Sequence, residues 1–379
     1  MKTLKRILAA TTLLVTLGFA SEANAQVPLE NFFKNPEKAG YQISPDGKYF
    51  SYMAPYENRL NLFVQEVGSD KATRITSETV RDLAGSMWAN GHRILYIKDT
   101  AGDENFQLYG VNVDGTDSKA YTAFPKVRTT IIDPLENIDS LVIIGLNKRN
   151  PQVFDPYRLN LNNGELTQLA ENPGNIQGWM TDHNGKLRVA LAIVDGVNTQ
   201  ILYRETEEQP FRPVLTTNFK ETVSFATFTP DNKMVYALTN IGRDKTALVL
   251  MDPATCEEKE VLYTNDKYDI SGLGYSELKK KLISVSCTGH KGTIRHYFDK
   301  NEEAIRTKLE QKLEGYDINT TSEDKSENIR IIYAGGDRTY GTYYTYNVKE
   351  DKLTKIADLA PWIKEEDMVP MHPRSEEHT

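Results

Sequence analysis

Six histidines, two cysteines and a dense set of carboxylates are the groups in this chain that could carry chemistry. A serine nucleophile of the α/β-hydrolase kind needs a strained strand-to-helix elbow, G-x-S-x-G, which lifts its hydroxyl clear of the backbone. The nearest approach is Gly274-Tyr275-Ser276-Glu277-Leu278. It lacks the second glycine and runs into a strand. His92, His183, His290, His296, His372 and His378 fall in turns, strand starts or the tail, and none has a serine and an aspartate around it in a recognisable motif. The sequence assigns no catalytic residue.

Asp99, Asp103 and Glu104 cluster in KDTAGDENFQLY without the alternating acids of a calcium loop, so they read as turn carboxylates that hold backbone amides. Glu205, Glu207 and Glu208 in RETEEQPF could draw a free amino terminus toward the inner face of a ring; a solvated turn run is the plainer reading. Cys256 and Cys287 sit in a turn and a strand of different repeats. An oxidising compartment would permit a bridge, but two separate thiols, one buried, is the simpler expectation. No Cys/His spacing suits zinc. GGDRTYG, residues 335–341, has neither phosphate-loop spacing nor a following helix. No metal or cofactor is assigned.

What positions these groups is a repeat. ISPDGKYFSY, residues 43–52, reads as a tight turn feeding a strand: Pro45 presets φ, Asp46 and Gly47 supply turn chemistry, and the aromatics continue extended. Looser copies begin at Asn90, Glu136, Asn184, Asp231, Glu277 and Lys325. The spacings are 44, 46, 48, 47, 46 and 48 residues. Most copies are followed by a second strand pair, with strong hairpin dipeptides at Asp114-Gly115 and Asn163-Gly164. Four short strands in each period of about 45 residues predict an all-β fold, a seven-bladed propeller of four-stranded antiparallel blades. A two-sheet sandwich would not explain the period. DKNEEAIRTKLEQKLEGY breaks the pattern and predicts one short helix near residues 301–314, packed between the last two blades. Ala304, Ile305, Leu309 and Leu313 would form its apolar face, and Glu302 and Glu303 its first turn. A substrate-binding role for that acidic pair is the sharper alternative.

Lys2, Lys5 and Arg6, an apolar run and Ala23-Asn24-Ala25 read as a signal peptide over 1–25, cleaved after about Ala25. The apolar run is shorter than a spanning helix needs. The expectation is export to a periplasm or the exterior with no stable membrane span. Net charge is −8, near −10 without the leader. With no basic stripe, nucleic-acid binding is not expected.

Four stretches resemble the N-terminal propeller of the prolyl oligopeptidase family of serine peptidases, in its acylaminoacyl/dipeptidyl-peptidase branch. They are FFKNPEKAGYQISPDGKYFSYMAP, MWANGHRILYIKDTAGDENFQLYGVNVDG, the run from Phe298 to Leu353, and LAPWIKEEDMVPMHP. Together they span nearly all of 29–373. The resemblance implies a propeller over 26–365 and, over 366–379, the start of a hinge to an α/β-hydrolase domain that would carry Ser, Asp and His. It implies an oligopeptide substrate handled through that domain, which this chain lacks, and no activity for this chain alone. Residues 374–379 read as translated adapter sequence, so a truncated gene is expected. The alternative is a stand-alone periplasmic propeller of TolB type, used for protein binding or as a scaffold.

Overall fold

The computed structural model describes residues 27–290 and 292–374. The expected leader over 1–25 lies outside the described residues, as do the last five of the tail. The chain lays down seven antiparallel sheets in succession, each from one continuous segment. They take residues 39–74, 85–120, 129–168, 176–217, 223–263, 270–297 and 317–358. Six have four strands and the sixth has three.

The turn that opens the repeat explains how a blade starts. Ser44 Oγ donates to Asp46 Oδ1 at 2.7 Å, and the amides of Lys48 and Tyr49 donate to Ser44 Oγ. Gly47 sits at φ 72°, where a side chain would be strained. The strand Tyr49–Tyr56 then pairs residue for residue with Arg59–Glu66. It buries Phe50, Tyr52 and Ala54 on one face, the period of a strand.

The first strands of neighbouring blades lie against one another, as between blades 7 and 1 and between blades 3 and 4. Gln42 Nε2 donates to the Ser86 carbonyl at 2.8 Å, and the Ile43 amide to Ser322 Oγ at 3.1 Å. The first strands therefore line the axis and the fourth strands face outward. Aliphatic clusters fill the seams: Leu95 and Leu108 meet Val142 and Ile144 between blades 2 and 3, and Val189 and Ile201 meet Val235 and Val249 between blades 4 and 5. Each such side chain contributes about 1.5–3 kcal/mol on burial. The ring closes without a shared sheet. Tyr41, Phe50 and Tyr52 pack on Ile331 and Tyr343, and the Lys325 amide donates to the Pro45 carbonyl at 2.9 Å.

Strand direction alternates, so all seven turns between first and second strands lie on one face, the turn face. The described ends of the chain lie on the other, the terminal face. There the helix α1 (Leu29–Phe33) meets the exit segment: Trp362 Nε1 donates to the Asn31 carbonyl at 2.9 Å and Tyr340 OH to the Phe32 carbonyl at 2.7 Å. Lys34 Nζ stands 4.1 Å over the Trp362 ring. GGDRTYG forms the hairpin that carries Tyr340.

The long helix α2 runs over Lys300–Lys312, and Asp299 caps it by accepting from the amides of Asn301 and Glu302. It follows the third strand of blade 6 and returns the chain to the terminal face, about 20 Å in 13 residues. A fourth strand was expected there. The inward face of α2 also differs from expectation. Ala304 is exposed and Glu302 is buried, so the stripe runs through Glu302, Ile305, Leu309 and Leu313.

Candidate functional site

The site is the axis, and its two ends differ. On the turn face, Asn137 of blade 3 donates to Glu277 Oε2 of blade 6 at 2.9 Å. Lys325 Nζ of blade 7 reaches Asp139 Oδ1 of blade 3 at 2.6 Å. Blades 3 and 6, and blades 3 and 7, are as far apart as a seven-membered ring permits, so these bonds cross the axis. Shorter links complete the closure. Asn90 Nδ2 donates to the Asp139 carbonyl at 3.2 Å, the His183 amide donates to Asn232 Oδ1 at 3.0 Å, and Ser276 Oγ bonds Glu327.

Beneath this latch lies a cavity of about 340 Å³ lined by Asp133, Glu136, Thr181, Asp182, His183 and Glu277. His183 Nδ1 is 3.3 Å from Glu277 Oε1 and its Nε2 is 2.9 Å from the Phe228 carbonyl; the ring stacks on Tyr275 at 5.3 Å. The hydrogen bond the imidazole donates to Glu277 holds its pKa above the ordinary value. The same bond lowers that of Glu277. Glu136 is pushed up, first by burial and then by the carboxylates of Glu277 and Asp133. The arrangement can store a proton and hold the mouth shut. It does not bring Ser276 to the imidazole: strand alternation turns Ser276 away from Tyr275 and Glu277, onto Glu327.

The other residues singled out in the sequence are scattered. Ser276 ends a strand and enters a turn to the next strand. Asp99 is buried, accepts the Glu104 amide at 3.1 Å and lies 3.5 Å from Arg81; Asp103 takes the amides of Thr100 and Asn105. Glu205, Glu207 and Glu208 follow the third strand of blade 4, away from the inner face. Glu205 pairs with Arg188 at 3.0 Å and Glu207 with Arg158 at 2.7 Å. His296 stacks on Tyr263, and His290, in the hairpin between the second and third strands of blade 6, meets Tyr268 edge-on. His92 lies in the first turn of blade 2, His372 is exposed in the exit segment, and His378 is outside the described residues. Cys256 and Cys287 are separate thiols, and burial pushes Cys256 up to about 11. Glu302 is no free acid: Arg330 binds it through two hydrogen bonds of 2.8 and 3.0 Å, with Lys279 at 2.7 Å. The His183–Glu277 pair was missed, because its partners are 94 residues apart and meet only when the ring closes.

The terminal face instead carries most of the exposed large hydrophobic side chains, set among polar and charged loop residues. Among the described residues fourteen large hydrophobic residues are exposed, and nine lie there, including Val80, Val197 and Phe219 in loops and Leu29, Phe33 and Met371 in the entry and exit segments. The turn face has three.

These features define a seven-bladed β-propeller with one end latched and the other bearing most of the exposed apolar side chains. Over 353 residues the chain is 28% identical to dipeptidyl aminopeptidase BIII of Pseudoxanthomonas mexicana, covering 90% of this chain and 50% of that protein. It is 26% identical over 355 residues to dipeptidyl peptidase family member 6 of Caenorhabditis elegans, covering 87% and 47%. It thus spans about half the length of the curated relatives it matches. A solved prolyl endopeptidase superposes with a TM-score of 0.59 at 12% identity, over 92% of this chain and 55% of that one, a likeness of fold. The solved TolB of Acinetobacter baumannii superposes at only 0.36, with 17% identity over 59% and 53%, too slight to carry an argument. No family model matches the chain. The likeness to the N-terminal propeller of the prolyl oligopeptidase family, read above from four stretches, stands on both its relatives and its fold.

Proposed function

We propose that this chain is the propeller portion of an exported serine peptidase of the prolyl oligopeptidase family that acts on oligopeptides. The single observation that carries the reading is the match of about 90% of the chain to two dipeptidyl peptidases. The physical role follows from the two ends of the ring. A hydrolase domain joined through the exit segment sits on the terminal face and covers its exposed apolar side chains. The latched turn face bars entry along the axis, so peptides reach the active site from the side, between ring and hydrolase. Folded proteins are excluded by size. The chain's own residues serve as wall and lid, and the chain alone cleaves nothing.

The genomic locus tests this. Clean sequence past the codon for Pro373 is expected to continue as a reading frame of about 250 codons with a G-x-S-x-G elbow. A genuine stop after Thr379 with no such frame downstream would overturn it. Export is checked separately: the amino terminus of the mature protein is expected at Gln26, and an intact Met1 in the secreted or periplasmic fraction would contradict it.

A further inference from the structure

Five of the seams between adjacent blades are filled by apolar clusters that draw on both neighbours. The seam between blades 6 and 7 is built otherwise. In blade 6, Gly272 is opposite Ser286, which is opposite Arg295; Gly274 is opposite Ser284, which is opposite Tyr297. Directly paired residues share a face. Blade 6 therefore turns two glycines, two serines, an arginine and a tyrosine toward α2 and blade 7. A Cβ at Gly274 would stand 2.7 Å from Ser284 Oγ, and one at Gly272 2.9 Å from Ser286 Oγ, so the hydroxyls lie over the glycines. A cavity of about 350 Å³ occupies this seam, bounded also by Arg306 of α2 and Asn319 of blade 7.

The three arginines around the cavity differ in how closely they are paired; Glu310 and Asp317 act on Arg295 only from beyond salt-bridge distance. Arg330 is neutralised by Glu302. Arg306 pairs with Glu310 at 2.7 Å and donates to the Ile318 carbonyl at 2.6 Å. Arg295 has no carboxylate within salt-bridge distance among the described residues, and its one side-chain partner is the neutral Asn319 Oδ1 at 3.1 Å. Burial, and then the like charge of Arg306, lower its pKa from the ordinary value. The hydroxyls of Ser284, Ser286 and Tyr297 bond no other described residue. The cavity wall thus presents a guanidinium and three hydroxyls, none of them bonded to a carboxylate of a described residue. Half-buried donors of this kind demand an acceptor, and a guanidinium fork matches a carboxylate or phosphate in shape.

We propose that this cavity binds a small oxyanion, a carboxylate or a phosphate, on Arg295, with Ser284, Ser286 and Tyr297 donating to it. Its volume admits an anion with a short organic body. The site is independent of the peptidase reading, since it lies in the seam of blades 6 and 7 and needs no hydrolase.

The 379-residue chain is titrated by calorimetry and by thermal melting with inorganic phosphate and, separately, with succinate, each against chloride at equal ionic strength. Saturable binding of at least one is expected, with the melting temperature rising with ligand. Phosphate alone, or succinate alone, identifies the source of the anionic group. Arg295→Gln keeps a donor for Asn319 and is expected to weaken binding at least tenfold, with Arg295→Lys between it and the native chain. The double substitution Ser284→Ala with Ser286→Ala leaves every charge in place and is expected to weaken binding severalfold, which covers the case of a misfolded Arg295 variant. Arg212→Gln, on the outer strand of blade 4, is expected to bind as the native chain does. Absence of saturable binding to the native chain, or native affinity in both the Arg295→Gln and the double serine variants, overturns the proposal.

Discussion

The turn face and the terminal face of this ring are made from the same seven repeats and differ in chemistry. The turn face is cross-linked by carboxylates, amides, a lysine and an imidazole that reach across the axis. The terminal face leaves Phe219 77% and Val80 64% exposed beside the described chain ends. Polar cross-links fix distances and shut a mouth. Large apolar side chains in water favour another surface over solvent. One end is finished within the chain, and the other is suited to being covered.

Three substitutions probe that contrast, in descending order of effect. Glu302→Ala removes the buried carboxylate beneath the turn face and leaves Arg330, 7% exposed, without its bidentate partner. About 3 kcal/mol of stability is expected to be lost in denaturant unfolding of the chain. A loss below about 1 kcal/mol would mean the network does not hold the face. Glu277→Gln breaks the pair with His183, and because solvent screens the half-exposed Glu277, the loss is at most about 1 kcal/mol. Its pH dependence is the sharper readout. The His183 pKa is raised from 6.5, so its contribution is complete below that value and fades as pH rises through the folded pKa. The Glu277 pKa is lowered from 4.5, so its contribution is complete above 4.5 and fades as pH falls through the folded pKa. The difference between native chain and variant is therefore largest between pH 4.5 and 6.5; a pH-independent difference would remove the ion pair from the account. Phe219→Ser on the terminal face is expected to leave stability within about 0.5 kcal/mol while reducing self-association in sedimentation. Destabilisation by 2 kcal/mol would show that Phe219 belongs to the ring's own packing.

The repeat was legible because each blade opens with a turn whose chemistry is local. Ser44, Asp46 and Gly47 make their bonds within six residues, and such signals survive in sequence. Blade count and strand pairing followed from counting those turns. The missing fourth strand of blade 6 was not legible, since a helix and a strand of equal rise both return the chain to the terminal face. The rotation of α2 was misread for a related reason. Glu302 scores as a solvated first-turn acid until Arg330, 28 residues later, draws it inward. The latch was invisible because Asn137 and Glu277 are 140 residues apart, and nothing local in either turn announces the other.

The proposed docking of a hydrolase domain on the terminal face, and not on the turn face, is open to one direct measurement. It is oxidative footprinting of the 379-residue chain beside the product of the longer reading frame proposed to continue past Pro373. Phe219 and Val80 are expected to lose reactivity in the longer protein, while Leu278, 57% exposed on the turn face, keeps it. Protection of Leu278 with Phe219 and Val80 unchanged would contradict the account.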